Sequence, residues 1–250
     1  MNNPGISVII PCFNMGRFLA EAVESVHAQR HEPLEIIVVD DGSSDDSAEH
    51  AKRLLGDVRY LWQENQGPGA ARNHGLRAAR HEIVAFLDAD DLWPADKTSV
   101  ELAHLESDPE LDFVVGNQRH FARKPGAPEG SREYEFEEPY FIFLFGCGLF
   151  RRRVFDKVGV CDESMRYSED TDWFFRCREA GVPYKVIPEV TVFYRRHESS
   201  MTHGRDAVAK GFLSAIKKSL DRRRTIGQRD LPWLYGSLYS KKTEPERGER

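Results

Sequence analysis

Apolar positions change their period repeatedly along this chain. A β-branched run at 6–10 stops at Pro11 and predicts a buried strand. Over 17–29, Phe18, Ala22 and Val26 recur at helical spacing. Residues 34–39 predict a second buried strand, and 45–55 a helix capped by Ser43 or Ser44. A strand at 58–61, a helix at 69–80, a strand at 82–87, a helix at 96–106 and a strand at 111–115 follow. This alternation predicts an α/β fold with a mostly parallel central sheet flanked by helices. In such sheets the ligand crevice lies at the carboxyl ends of the strands. Beyond 119 the pattern loosens. KPGAPEG reads as a loop and REYEFEEP as an exposed strand or flap. Helices are predicted at 151–158 and 169–180, and strands at 185–187 and 190–194 with Pro188 between them. A long helix at 205–224 is apolar at Val208, Phe212, Ala215 and Ile216. That face predicts packing on the core. Contact with an anionic bilayer through the basic remainder is the alternative. The polar end KKTEPERGER predicts a disordered tail.

Composition narrows the class. The 250 residues are 40% hydrophobic and 30% charged, with a net charge of −6, as in an ordinary globular protein. The acidic balance argues against a nucleic-acid partner. Cys12, Cys147, Cys161 and Cys177 form no CxxC pair, which argues against a zinc site. They read as buried thiols in a reducing, cytoplasmic setting. No signal peptide is evident, and the longest apolar run, 140–150, is short of the roughly 20 residues of a membrane span.

Candidate chemistry collects at the predicted strand ends. Pro11-Cys12-Phe13-Asn14 closes the first strand, where backbone N–H groups can meet a phosphate or a base edge; a plain turn is the alternative. Asp41, after the second strand, could accept a proton from a base or a ribose hydroxyl, although Asp-Gly-Ser is also ordinary turn chemistry. Asn65 to Asn73 joins the third strand to a helix. Gly69 lets backbone approach a ligand, and Arg72 could face a phosphate. The segment lacks the GxxxxGK[ST] pattern of a P-loop. Asp88, Asp90 and Asp91 crowd three carboxylates into four residues, and a hard cation such as Mn²⁺ or Mg²⁺ best relieves their repulsion. Asp170 starts a helix and shares a face with Trp173, Phe174 and Cys177. An acid on that inward face has the surroundings of a general base, while helix capping is the alternative. His197, after the last strand, could bind a metal or a phosphate, or be structural.

Seven segments in order resemble the family 2 inverting glycosyltransferases, which have the GT-A fold. They are SVIIPCFN, EIIVVDDGSSD, NQGPGAARNHGL, EIVAFLDADD, LFRRRVFDKVG, SEDTDWFFR and YRRHESSMT, spanning about residues 5–202. The resemblance implies a nucleoside-diphosphate sugar donor, expected to be UDP-linked. It implies nucleotide contacts from Pro11, Phe13, Asn14, Asp41, Asn65, Gly69 and Arg72. Asp90 would meet the ribose with Asp88 in support, Asp91 and His197 would hold the metal, and Asp170 would deprotonate the acceptor. The acceptor would be a glycan, a lipid-linked saccharide or a small molecule. A GT-A domain is thus expected over 1–204, with nucleotide binding in 1–116 and acceptor binding in 117–204. A helical extension would cover 205–240 and a disordered tail 241–250, with homodimer formation left open. A nucleotidyltransferase on a similar sheet would carry a basic glycine-rich loop near the N-terminus, which SVIIPCFN lacks.

Overall fold

The computed structural model describes residues 3–54, 58–128, 130–201 and 205–227. The expected tail and the part of the extension after 227 lie outside them. The parallel half of the sheet forms first along the chain. Its strands are β1 (Ile6–Cys12), β2 (Leu34–Asp40), β3 (Val58–Trp62) and β4 (Ile83–Phe86), in the order β3-β2-β1-β4. Ile6, Val8, Ile9, Ile10, Ile37, Val38 and Val39 are all buried, as unbroken apolar runs require when helices cover both faces. The connecting helices are α1 (Gly16–His27), α2 (Ser47–Arg53) and α3 (Pro68–Ala78). α2 starts after Asp46, so neither Ser43 nor Ser44 caps it. Instead the Ser43 N–H donates to Asp40 Oδ1 (2.8 Å) and the Ser44 N–H to Asn14 Oδ1 (2.8 Å), knitting the two strand ends together. β1 also runs through Pro11, which pairs with Val39 in register.

α4 (Lys97–Ser107) leads into a second half that the residue pattern conveys less well. β5 (Phe113–Arg123) runs well past the expected end at 115, and its polar stretch Asn117 to His120 pairs with a late strand. β6 is only Tyr134–Phe136. A further strand, β7 (Gly148–Arg151), was not anticipated. It lies antiparallel between β4 and β5. α5 (Arg153–Val158) and α6 (Glu169–Glu179) follow, then β8 (Tyr184–Arg195) and α7 (Arg205–Thr225). β8 is a single strand rather than two. Pro188 falls where the register with β5 shifts between Val115 and Asn117, so its missing N–H breaks no ladder bond. Its carbonyl accepts from Asn117 Nδ2 (2.7 Å).

Two packing features position the site. Phe86, Phe113, Phe145, Phe150, Phe155, Trp173 and Phe174 form a buried aromatic cluster under α6. Trp173 also donates its Nε1–H to Gly159 O (2.9 Å), which fixes the rotation of that helix. α7 packs on α6 with Ala215 of the expected face buried and Val208 and Ile216 half-buried, but Phe212 departs from that face: it and Leu213 are exposed, and Ser219 is buried instead. Small residues let the helices come close, and Arg222 then reaches Asp172 (2.8 Å) and Glu179 (2.7 Å). No helix among the described residues is long and apolar enough to cross a membrane.

α3 carries Arg72 and is seated on the sheet at Gly75, where a Cβ would overlap the Ile9 side chain and come within 3.2 Å of Val39 Cγ2. Gly75→Ala is therefore expected to cost about 1–3 kcal/mol through overpacking. Urea denaturation reads this directly, and an unchanged midpoint would mean that α3 can lift without penalty.

Candidate active site

The strand ends converge as two joined networks. The first frames the crevice beside β1 and β2. Asn14 has a left-handed backbone (φ 54°), which turns its side chain toward the loop after β2. Its Oδ1 accepts from the Ser44 N–H, and its own N–H donates to Ser43 Oγ (2.9 Å). Phe13, 40% exposed, presents an open ring beside it. Asp41 is buried, and its carboxylate accepts from Gln63 Nε2 (2.8 Å), the Gln66 N–H (2.9 Å) and the Gly67 N–H (2.8 Å). Asp41 thus shapes the 63–67 loop. Asn65 donates its Nδ2 to Asp41 O (2.9 Å) and accepts at Oδ1 from Arg166 (3.1 Å). Gly69 is buried, and a Cβ there would lie 3.4 Å from both Cys161 Cβ and Glu169 Cγ. Its close approach is to α6, not to an open face.

The second network joins the acidic cluster to α6. Arg72 is buried; one arm reaches Asp88 Oδ1 (2.7 Å) and the other Glu169 Oε1. Both arms meet carboxylates, whereas a phosphate contact was expected of Arg72. Its Nε is buried and without a hydrogen-bond partner among the described residues. Glu169, buried at the start of α6, is a site residue that the residue pattern did not single out. Beside it, Asp170 is half-buried. The protein packed around its carboxyl and the adjacent Glu169 push it up to about 7, while Arg72 and the Thr171 N–H restrain the rise. Asp170 Oδ1 accepts that N–H (2.6 Å), and Oδ2 has no partner among the described residues.

The far end of the cluster meets β8. Asp91 is buried, and its Oδ1 accepts the Arg195 N–H (2.8 Å). Burial, then Asp90 and Asp88, raise its carboxyl well above the ordinary range. Arg195 was also not anticipated. It is buried, donates to Asp90 O (2.6 Å) and Glu21 (2.9 Å), and its guanidinium lies over Phe18 and Phe121 (4.7 and 4.6 Å). His197 Nε2 lies 2.8 Å from Asp90 Oδ2, and its Nδ1 lies 2.9 Å from Ser199 Oγ. The Ser199 hydroxyl oxygen in turn accepts from Arg17 (2.8 Å).

Asp90 and His197 fit a divalent cation. Two neighbouring ligands of an octahedral Mg²⁺-like ion stand about 3.0 Å apart, close to the separation found here. A cation would take the place of the hydrogen bond between them. No three His, Cys, Asp or Glu side chains form a complete metal group among the described residues. Such ions commonly take the rest of their shell from water and substrate phosphates.

Comparison with known proteins agrees with this architecture. The glycosyl transferase family 2 model matches residues 7–166, and the chain belongs to that family. An uncharacterised glycosyltransferase of Rickettsia conorii is 41% identical over 160 residues, 63% of this chain, of whose own length the match covers 24%. Another, from Rickettsia typhi, is 28% identical over 237 residues, covering 86% of this chain and 74% of the relative. Among solved structures, the mannosyltransferase PcManGT from Pyrobaculum calidifontis, in complex with GDP-Man and Mn²⁺, has a TM-score of 0.70 at 20% identity, over 94% of this chain and 68% of that one. TarS 1–349 of S. aureus, in complex with UDP-GlcNAc, has a TM-score of 0.65 at 18% identity, over 95% and 76% of the two chains. At these identities the shared property is the GT-A fold. Family membership places the chain among the family 2 glycosyltransferases, several of which extend well beyond the matched segment.

The Arg72 bridge is unequal. Glu169 is buried, whereas the Asp88 side chain is 41% exposed. Arg72→Gln should cost about 3–5 kcal/mol by leaving a buried carboxylate without its counter-charge. Asp88→Asn should cost less than about 1 kcal/mol. Urea denaturation of both variants checks this; equal losses would contradict the ranking.

Proposed function

We propose that this chain moves one sugar from a nucleoside-diphosphate sugar to an acceptor hydroxyl in a single inverting displacement, with Asp170 as general base. The observation that carries the reading is the Asp170 carboxyl, raised to about 7 and with Oδ2 unengaged by the described residues. A base poised near neutral pH combines a useful ionised fraction with proton affinity. Asp170 takes the acceptor proton at Oδ2 while the acceptor oxygen bonds to the anomeric carbon. The bond from that carbon to the diphosphate oxygen breaks, and its electron pair leaves with the nucleoside diphosphate. The sugar forms no bond to the protein, so one displacement inverts the centre.

The nucleotide is assigned to the crevice framed by Pro11, Phe13, Asn14, Asp41 and Asn65, with the Phe13 ring suited to stacking on a base. The 2.8 Å Asp90–His197 pair supports assigning the metal to Asp90 and His197, in place of the expected Asp91 and His197, with Asp91 in a supporting role. A bound Mn²⁺ or Mg²⁺ would neutralise charge on the departing diphosphate. A UDP-linked sugar remains the expected donor. The GDP-Man and UDP-GlcNAc held by the two structural neighbours support a nucleotide sugar and leave the base to be tested.

Hydrolysis of UDP- and GDP-sugars with Mn²⁺, water standing in for the acceptor, tests the base. Asp170→Asn should lower the rate by about 10²–10⁴-fold. The wild-type rate should climb with pH through about 7, because the carboxyl must be ionised to act. A flat profile between pH 5.5 and 8.5 would sink the assignment. Linkage adds a second readout. The folded pKa is raised, so the ionised carboxyl destabilises the fold increasingly as pH rises from near 3.9 through about 7. Asp170→Asn should therefore raise the Tm more at pH 8 than at pH 4. For the metal, Mn²⁺ should raise the wild-type Tm. Asp90→Asn and His197→Ala should lose that rise, whereas Asp91→Asn, which keeps an oxygen for the Arg195 N–H, should retain it. The opposite ranking would return the metal to Asp91.

A further inference from the structure

A pocket of about 460 Å³ opens between α7 and the segment leading into α6. Its volume is within the range of small-molecule sites, about 300–1,000 Å³. Arg166, Lys210 and Lys218 line it, with Met165, Tyr167 and Gly211. No acidic residue is among the lining residues. Lys218 is balanced by Asp162 outside the lining. Arg166 and Lys210 have no carboxylate partner among the described residues, and Arg166 meets only the neutral Asn65 amide. Two cations therefore face an acid-free hollow in a chain whose net charge is −6.

The pocket adjoins the proposed reaction centre. Gly211 lets α7 lie directly on Tyr167 and Ser168; a Cβ would come within 2.6 Å of Tyr167 Cβ and 3.1 Å of Ser168 Oγ. Ser168 is the N-cap of α6, and Asp170 is in that helix's first turn. On the other side, Arg166 touches the 63–67 loop through Asn65. The hollow thus borders the base-bearing helix without sharing residues with the acidic cluster. The acidic cluster suits a cation, and this hollow suits an anion.

We propose that this pocket binds a phosphate group of the acceptor, so that the sugar is passed to a phosphate-bearing molecule held by Lys210 and Arg166. Resting on the transferase reading above, it adds the acceptor's chemistry. Lys210 supplies a mobile point charge and Arg166 a planar fork for phosphate oxygens. Met165 and Tyr167 offer a partly apolar floor to the group attached. The same phosphate chemistry could come from a soluble phosphorylated molecule or from a lipid-linked saccharide.

Direct binding tests this without any turnover. Glycerol phosphate and farnesyl phosphate are titrated calorimetrically into the full chain in the absence of donor and metal. Both should bind if the phosphate alone is recognised; tighter farnesyl phosphate binding would favour the lipid-linked source. Lys210→Glu should weaken binding at least tenfold. Lys217→Glu, on the same helix but outside the pocket, should bind as the wild type does, which controls for a general change of surface charge. Equal affinities in the wild type and Lys210→Glu, equal losses in both variants, or no binding to the wild type would overturn the proposal. Failure of donor hydrolysis by a wild-type chain that still binds phosphate through Lys210 would instead count against the transferase reading alone.

Discussion

The Arg72 guanidinium joins two carboxylates that would otherwise repel, Asp88 from the end of β4 and Glu169 from the start of α6. Among the described residues, no other ion pair links these two elements. Without a cation between them, the acidic cluster and the base-bearing helix would be driven apart, and the centre would open. The bridge is buried on the Glu169 side, where the attraction is least screened. It also sets the chemistry of Asp170. Glu169 alone would push that carboxyl higher, and Arg72 pulls it back toward neutrality. One guanidinium thus holds the geometry and restrains the rise of the Asp170 carboxyl.

Arg195 plays the corresponding part at the opposite end. It fastens β8 to the cluster through Asp91 and the Asp90 carbonyl, and it reaches α1 through Glu21. Burial raises the Glu21 carboxyl, but the hydrogen bonds from Tyr134 and Arg195 outweigh it and hold the group below its ordinary value. Arg72 pairs with the Asp88 and Glu169 carboxyls and Arg195 with Glu21, while the Asp91 carboxylate takes only the Arg195 backbone N–H and Asp90 meets Arg195 through its carbonyl. Burial and the neighbouring acids raise both the Asp91 and the Asp170 carboxyls. His197 stands against Asp90 at 2.8 Å.

The parallel half of the fold was legible because each buried strand is an unbroken apolar run bounded by a turn. β7 was not, because Gly148–Arg151 is only four residues long and lies at the end of an aromatic-rich stretch interrupted by Gly146 and Gly148. The extension of β5 was hidden by Asn117, Gln118, Arg119 and His120, whose polarity reads as loop until β8 is present to pair with them. The site shows the same division. Asp88, Asp90, Asp91, Asp170 and His197 announce themselves as acids or a histidine at strand and helix ends, and the fold draws them into linked networks. Glu169 looked like one more capping acid beside Asp170. Its burial depends on Arg72, 97 residues away. Arg195 carried a fainter signal: it alternates along β8 with Thr191 and Phe193, on the side that meets Leu92 and Asp91.

The placement of the two arginines also bears on what the centre can bind. A phosphate contact from Arg72 would require it to release Glu169 or Asp88, and release of Glu169 would leave a buried charge uncompensated. Arg195 is likewise committed to Glu21 and enclosed by Phe18, Phe121 and Tyr134. Neither is free to clamp a diphosphate directly. Under the transfer reading proposed above, neutralising a departing diphosphate would fall to a divalent ion, for which the Asp90–His197 pair is the proposed place. Arg166 and Lys210 line a hollow that shares no residue with the acidic cluster. On the proposals made above, an anion there would not compete with a cation at Asp90, and donor and acceptor would be held by opposite charges in separate places.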